Sequence, residues 1–336
     1  DGEFPVSAFP VFIRGRAGDE KAFVAALSAA ILNDDGKLPC RVSFELAGPD
    51  AINLVFVNPL SRELAGSITI AGQNYTLAIP KLGEQTIRVK LAGSILDGQL
   101  AKLDFPYECS IDGRIVTSGF SFTGFSVKKF SGDWAGIPVI KLRNKVDTES
   151  AFAEADFSAS YQLAWDEQKL YLRVSVSDDV FSSGDLPGYR WNYDVLQVYF
   201  DTRCSSMMTG KRSYDEDDYD YGFMPTADGK TCEVWRQLSP DIQLTLGIAA
   251  PENQKIAKEI PAKFTRTETG YVYEAEFPAD YLLPMKLVSG YNFAFGLYVA
   301  DKDHGNGVEK GLSIATEAGS GCHNKPHLWP IAILLE

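Results

Sequence analysis

Histidine and methionine are scarce in this 336-residue chain, which has three of the first and four of the second. No motif pairs a Met with a His, so axial haem ligation has little to draw on. His304, His323 and His327 lie near the C-terminus. His323 and His327 are four apart, but Pro326 between them argues against a shared helix and hence against a two-histidine metal face. No apolar run approaches the ~20 residues of a membrane helix, which excludes membrane insertion by that route. Gly-x-Ser-x-Gly, His-Glu-x-x-His and P-loop motifs are all missing. The 45 acidic residues guarantee chance carboxylate pairs, yet none sits in a recognisable glycosidase motif. The chain is therefore read as non-catalytic. It also lacks a Lys/Arg cluster with interleaved aromatics. With a net charge of −13 it repels polyanions, so nucleic acid is not an expected partner. No signal peptide is visible at Asp1, and a mature secreted form or an excised piece would look the same.

What is present is mostly strand. Residues 1–36 form a lead-in with one short helix, expected from GDEKAFVAALSAAILNDDG. There Asp19 can cap, Phe23, Leu27 and Ile31 share a face, and Asn-Asp-Asp-Gly stops it. From 37 to 130, segments such as AINLVFVNPL, NYTLAIP and QTIRVKLAG are separated by Gly, Pro, Asn and Asp, the spacing of an all-β sandwich. From 131 to 336 the texture changes, and all five tryptophans fall here. KLYLRVSVSDD alternates Leu170, Leu172, Val174 and Val176 with Tyr171, Arg173, Ser175 and Ser177, the period of two of a half-buried strand. WDEQ, 165–168, reads as a hairpin turn. Beyond the lead-in no helix-period segment exceeds a turn or two, and no repeat of 20 to 50 residues is found. The fold class is all-β: two sandwiches, the second larger.

Five cysteines have no zinc-site spacing. Cys204 and Cys232 flank the acidic run YDEDDYDY, 214–221, and are candidates for pairing, but spacing does not settle connectivity. The acidic run itself is either a solvated loop or a loop that meets a cation or a sugar.

Six short motifs then occur in order: GDWAGIP (132–138), AWDEQKLYLRVSVSDDVF (164–181), RWNYDVLQVYFD (190–201), DDYDYGF (217–223), TGYVYEAEFP (269–278) and FAFGLYVADKD (293–303). Together they resemble the family 9 carbohydrate-binding modules and the wider DOMON-like sandwich group. Trp191 matches the first of the two tryptophans that clamp a sugar in that family. The chain departs from the pattern at Gln197, where the family carries Glu, at Gly222, and after the Asp-x-Asp strand, where no second clamp tryptophan follows. Trp329 lies further on, in a final strand that reads as core. Tyr107, two residues before Cys109, resembles the tyrosine corner of immunoglobulin-type sandwiches. That resemblance implies an immunoglobulin-like first domain and a bridge from Cys40 to Cys109; if Cys204 and Cys232 also paired, Cys322 would be left over. The lead-in AFPVFIRGR followed by these two domains resembles the tail of large bacterial glycoside hydrolases. It implies a secreted, extracellular or periplasmic protein with a catalytic domain in the same longer chain.

A sugar ring offers one apolar C–H face and a rim of hydroxyls. An aromatic plane binds the first, and polar side chains bind the second. The expected ligand-binding residues are Trp191 as platform, Asp194 and Gln197 just after it, Asp218 and Tyr221 from the adjacent loop, and Trp235 in CEVWRQL as a second platform or a core residue. The expected partner is a polysaccharide or oligosaccharide. No cofactor is expected beyond a structural Ca²⁺. Asp301 and Asp303 have the alternate-carboxylate spacing of a Ca²⁺ loop without a complete EF-hand pattern. The rival reading is a structural or scaffold sandwich that has lost the sugar slot.

Overall fold

The computed structural model describes residues 38–47, 50–91, 98–146, 152–154, 156–184, 192–206, 212–240, 252–304, 308 and 310–336. The helix expected in the lead-in and Trp191 lie outside the described residues. The chain divides into two compact units. One comprises Asp1–Ile95 and Leu103–Ser121, the other Leu96–Lys102 and Phe122–Glu336. The division at Ser121 precedes the expected boundary at Phe130, because one long strand, β7 (Arg114–Lys129), supplies its first half to one unit and its second half to the other.

In the first unit β1 (Arg41–Leu46), β2 (Ala51–Val57) and β5 (Glu84–Lys90) pair antiparallel in the order β1-β2-β5. β3 (Leu64–Ile70), β4 (Gln73–Ile79) and β6 (Ala101–Ile111) pair in the order β4-β3-β6. Alternate positions supply the core: Ile52, Leu54 and Phe56 from β2, Ile68 and Ile70 from β3, Leu77 and Ile79 from β4. β6 and β7 are joined by Asp112-Gly113, both at positive φ (50° and 76°). This is the backbone that an Asp-Gly hairpin turn adopts readily.

Cys40 and Cys109 are both buried in this core, but all five cysteines are free thiols. Burial, reinforced for Cys40 by Cys109 nearby, pushes their pKa values up to about 12 and about 11. Neither expected bridge is therefore present. A buried thiol with so little thiolate reacts slowly. Without reductant, a thiol reagent at pH 8 is expected to label these two only after denaturation, when all five should titrate. A count of three or one in denaturant would show that bridges form.

The second unit is built from β8 (Ile140–Lys141), β9 (Asn144–Val146), β10 (Phe157–Trp165), β11 (Lys169–Asp178), β12 (Val195–Asp201), β13 (Asp218–Pro225), β14 (Cys232–Leu238), β15 (Lys255–Ile256), β16 (Ala262–Thr267), β17 (Gly270–Pro278), β18 (Asn292–Asp301), β19 (Lys310–Ser313) and β20 (Ile331–Leu335). One sheet runs β16-β17-β11-β10-β8. The other runs β15-β14-β13-β12-β18, and β18 then pairs with β20 at one end and β19 at the other. β7 closes one edge, running parallel to β20 and touching β10. The WDEQ turn forms as expected, with Asp166 Oδ1 accepting the amides of Gln168 and Lys169 at 2.7 and 2.8 Å.

The two sheets face one another across an aromatic core. Phe200 of β12 meets Phe277 of β17 edge-on at 5.2 Å, and Tyr161 of β10 meets Phe295 of β18 at 5.6 Å. The sheets differ on their outer sides. β11 alternates buried and half-buried residues, so its outer side is open to solvent. β13 is buried at all eight positions. The second sheet is therefore covered on both faces along β13, while β14 keeps half-buried positions on its outer side. Trp329 forms part of the cover, stacking on Tyr199 at 5.3 Å and donating its indole N–H to the Cys322 carbonyl at 2.9 Å. Gly296 makes this approach possible, since a Cβ there would lie 2.9 Å from the indole. Trp165 is likewise internal, donating to the Leu335 carbonyl at 2.9 Å.

Candidate functional site

On the outer face of the second sheet one cross-strand row brings together four residues. Trp235 of β14 lies opposite Gly222 of β13, Gly222 opposite Gln197 of β12, and Gln197 opposite Tyr298 of β18. Side chains of directly opposed residues lie on the same face. The row therefore reads aromatic, empty, amide, aromatic. Trp235, Gln197 and Tyr298 are all half-buried. The next row supplies an apolar floor: Val195, Met224 and Ala300 cluster, and Trp235, Tyr298 and Val308 pack against them. Tyr298 is seated by Gly311, where a Cβ would lie 2.5 Å from the phenol oxygen.

The row on the other side is polar. Tyr199 donates to Gln197 Oε1 at 2.5 Å, which leaves the Gln197 amide N–H₂ to serve as donor. Tyr199 pairs across the strands with Asp220. Asp220 Oδ2 accepts from Tyr214 at 2.9 Å and lies 3.5 Å from His323 Nδ1. This hydrogen bond raises the His323 pKa above its ordinary value. Asp220 Oδ1 is buried and has no partner. The face thus joins two aromatic walls and a shallow apolar floor to a hydrogen-bonding end.

The expected site residues separate into three groups. Gln197 and Trp235 are brought together on this face. Trp191 lies outside the described residues. Asp194, Asp218 and Tyr221 are placed elsewhere. Asp194 is buried, and its two oxygens accept the backbone amides of Ser182 (2.6 Å) and Lys302 (3.0 Å), so it ties the loop before β12 to the end of β18 instead of meeting a ligand. Tyr221 points inward, its ring packed on Phe277 at 5.5 Å and its hydroxyl donating to the Tyr281 carbonyl at 3.3 Å. Asp218 is fully buried beneath the 202–206 segment beside Asp201 and Asp217. The solvated-loop reading of YDEDDYDY fails for the same reason, since Asp217, Asp218 and Asp220 are each at most 1 % exposed. Tyr298, Asp220 and His323 also belong to this face or its polar end and were not among the expected ligand-binding residues. The signal for Tyr298 was available: the face of β18 opposite its Phe/Leu/Val stripe reads Ala294, Gly296, Tyr298, Ala300, three small residues around one large ring.

Burial, with Asp201 adding repulsion, pushes the Asp218 pKa up from 3.8 to about 9. A carboxyl raised in the fold contributes stability that is complete below pH 3.8 and is lost as pH rises towards 9. With EDTA present, thermal stability is expected to fall across this window. Asp218→Asn retains an acceptor for the Asp215 amide (2.7 Å in the native protein) and removes the charge. Its melting temperature should match wild type near pH 4 and exceed it by a few degrees at pH 8.5, as read by circular dichroism. A variant no more stable at pH 8.5 would contradict this.

A second group of acids could hold a cation. Asp178, Asp301 and Asp303 each place one oxygen within 4.8 Å of the others. Asp178 and Asp301 are at most 4 % exposed. Asp178 Oδ2, Asp301 Oδ1 and Asp303 Oδ1 are buried without hydrogen-bond partners. Lys310 supplies one positive charge, reaching Asp301 Oδ2 at 3.0 Å and Asp156 at 2.9 Å as well as Asp303. Three carboxylates gathered this closely, each with an orphaned buried oxygen, fit a hard divalent cation.

The family model described as "Carbohydrate family 9 binding domain-like" matches residues 129–336. Among solved structures, the chain is similar to a family 9 carbohydrate binding module from Caldicellulosiruptor kristjanssonii in complex with cellotriose. The identity is 17 % and the TM-score 0.47, covering 62 % of this chain and 92 % of that one. It is similar in the same degree to such a module from that organism in complex with glucose, at 17 % identity and TM-score 0.47, covering 62 % and 94 %. The comparison with curated proteins gives no match. The family match takes in more than half of the chain and includes every strand of the second unit from β8 to β20, so the chain belongs to the carbohydrate family 9 binding domain-like family.

Proposed function

We propose that the second unit is a non-catalytic carbohydrate-binding module whose outer β14-β13-β12-β18 face holds a neutral saccharide. The row Trp235–Gly222–Gln197–Tyr298 carries this reading. Trp235 and Tyr298 supply ring faces for sugar C–H bonds, and Gly222 leaves the space between them. The Gln197 amide supplies a donor for a ring hydroxyl, and His323, held by the buried Asp220, extends the polar rim. Family membership supports the same assignment. Calorimetric titration with glucose, cellobiose and cellotriose tests it, and saturable binding of at least one neutral saccharide from a broad panel is expected. No binding across that panel would favour the rival scaffold reading. In a longer polysaccharide-degrading chain, such a module would raise the local substrate concentration around a catalytic domain.

The reading includes a structural divalent cation of the Ca²⁺ class at Asp178, Asp301 and Asp303. These residues would hold it through their orphaned oxygens. When bound, it supplies charge compensation beside Lys310, which faces several buried carboxylates. Asp301 is part of β18 and Asp178 ends β11, so the cation would tie the two sheets together beside Asp194.

A further inference from the structure

The outer side of the opposite sheet carries a second cleft, with a cavity volume of about 690 Å³. Its floor is made of serines. Ser158 and Ser160 of β10 lie opposite Ser177 and Ser175 of β11, so four short hydroxyl side chains form one patch. Each alternates with an inward core residue, such as Phe157, Tyr161, Val174 or Val176. Short residues on an otherwise half-buried face leave a trough, with Thr267 and Thr269 on one side and Phe152 on another.

The other wall is basic. In the segment KLRNK, Lys141, Arg143 and Lys145 are exposed, while Leu142 and Val146 are buried between and after them. All three cations line the cleft. Asn144 anchors the segment from the other side: its amide donates to the carbonyls of Ala315, Glu317 and Ser320 at 3.2, 2.9 and 2.9 Å, and its Oδ1 accepts the Gly319 amide at 2.8 Å. Lys145 is held in place over the Phe152 ring at 4.3 Å and donates to the Phe152 carbonyl. Glu154, 4.0 Å from Lys141 and largely exposed, is the one carboxylate lining the cleft among the described residues. Arg143 has no carboxylate partner among the described residues.

A locally positive cleft stands out in a chain of net charge −13. Among the described residues, three cations and one carboxylate line it. Hydroxyls that both donate and accept suit the hydroxyls of a sugar. A guanidinium with free N–H groups suits a planar or tetrahedral oxyanion. We propose that this cleft is a second saccharide site, selective for a sugar unit that bears an oxyanion, either a uronate carboxylate or a sulfate ester. Arg143 and Lys141 would take the anion, and Ser160 and Ser175 the ring hydroxyls.

Calorimetric titration of the full chain tests this with four probes: a trigalacturonate, a sulfated disaccharide, cellotriose and sodium sulfate. At least one acidic saccharide should bind saturably, and which one identifies the oxyanion. Lys141→Gln combined with Arg143→Gln should weaken it at least about tenfold. Ser160→Leu, which fills the trough while leaving the charges, should weaken it as well. Binding of cellotriose should be unchanged in both variants, because it reports on the opposite face and on the separate proposal made there. No saturable binding of either acidic saccharide would overturn the inference. So would binding indifferent to Lys141 and Arg143, or sulfate alone binding as tightly as the saccharides.

Discussion

Trp235→Ala is expected to weaken neutral saccharide binding by about thirtyfold, the loss of ~2 kcal/mol typical of an aromatic anchor at the centre of a contact. The side chain is half-buried and leans on Met224 and Val195 without filling the inter-sheet core, so the fold should survive. Among the described residues its indole N–H reaches only Gln237 Oε1, at 3.3 Å, a partner that water can replace. Gln197→Ala should lose a further hydrogen bond worth ~1–3 kcal/mol when buried against sugar. The two effects should not add fully, because both residues line the same row. Calorimetry gives the affinities, and circular dichroism confirms the fold. Undiminished affinity in both variants would remove this face from consideration.

Adding Ca²⁺ should raise the melting temperature, and EDTA should reverse it. A ligand at a hundred times its Kd stabilises by ~2.7 kcal/mol. In a unit of this size that corresponds to about 5–10 °C. Asp178→Asn isolates the cause. Asn at this position still accepts the Val180 amide, now bonded to Asp178 Oδ1 at 2.9 Å, and replaces the orphaned Oδ2 with an uncharged group. Asp178 has no ion pair with Lys310, so this change leaves the Asp301–Lys310 contact in place. The variant should show no Ca²⁺-dependent shift and should match or exceed wild-type stability in EDTA, since one buried charge has been removed. An unchanged Ca²⁺ response would contradict the assignment. Differential scanning calorimetry with and without Ca²⁺ reads all of these outcomes.

Local pattern carried the strands and failed where burial came from both sides. Leu170, Leu172, Val174 and Val176 were read correctly as an inward stripe because β11 has one wet face, and alternation then distinguishes in from out. In β13 both faces are covered, so DYDYGFMP offers no such contrast. Tyr221 and Asp220 are adjacent and equally polar in sequence, yet the first faces the core and the second faces Tyr199 on the outside. Only the pairing register decides between them. Asp194 failed for a different reason. Its partners are the Ser182 and Lys302 amides, the latter 108 residues away in sequence, and no local signal announces them. The outward orientation of Gln197 was legible because its neighbours Leu196 and Val198 are plainly core. The serine floor of the opposite cleft emerges only when β10 and β11 are set side by side.

The central claim is that a neutral saccharide rests against Trp235 on the outer face of the second sheet. The most direct measurement is the indole N–H region of a two-dimensional ¹⁵N spectrum, which holds one signal for each of the five tryptophans. Trp235→Phe assigns the relevant signal, and Trp165→Phe assigns an internal control. Titration with a saccharide that calorimetry shows to bind should move the Trp235 signal progressively to saturation, while that of Trp165, sealed in the core and bonded to the Leu335 carbonyl, stays still. A Trp235 signal that does not move while that saccharide saturates the protein would place the sugar elsewhere and contradict the account.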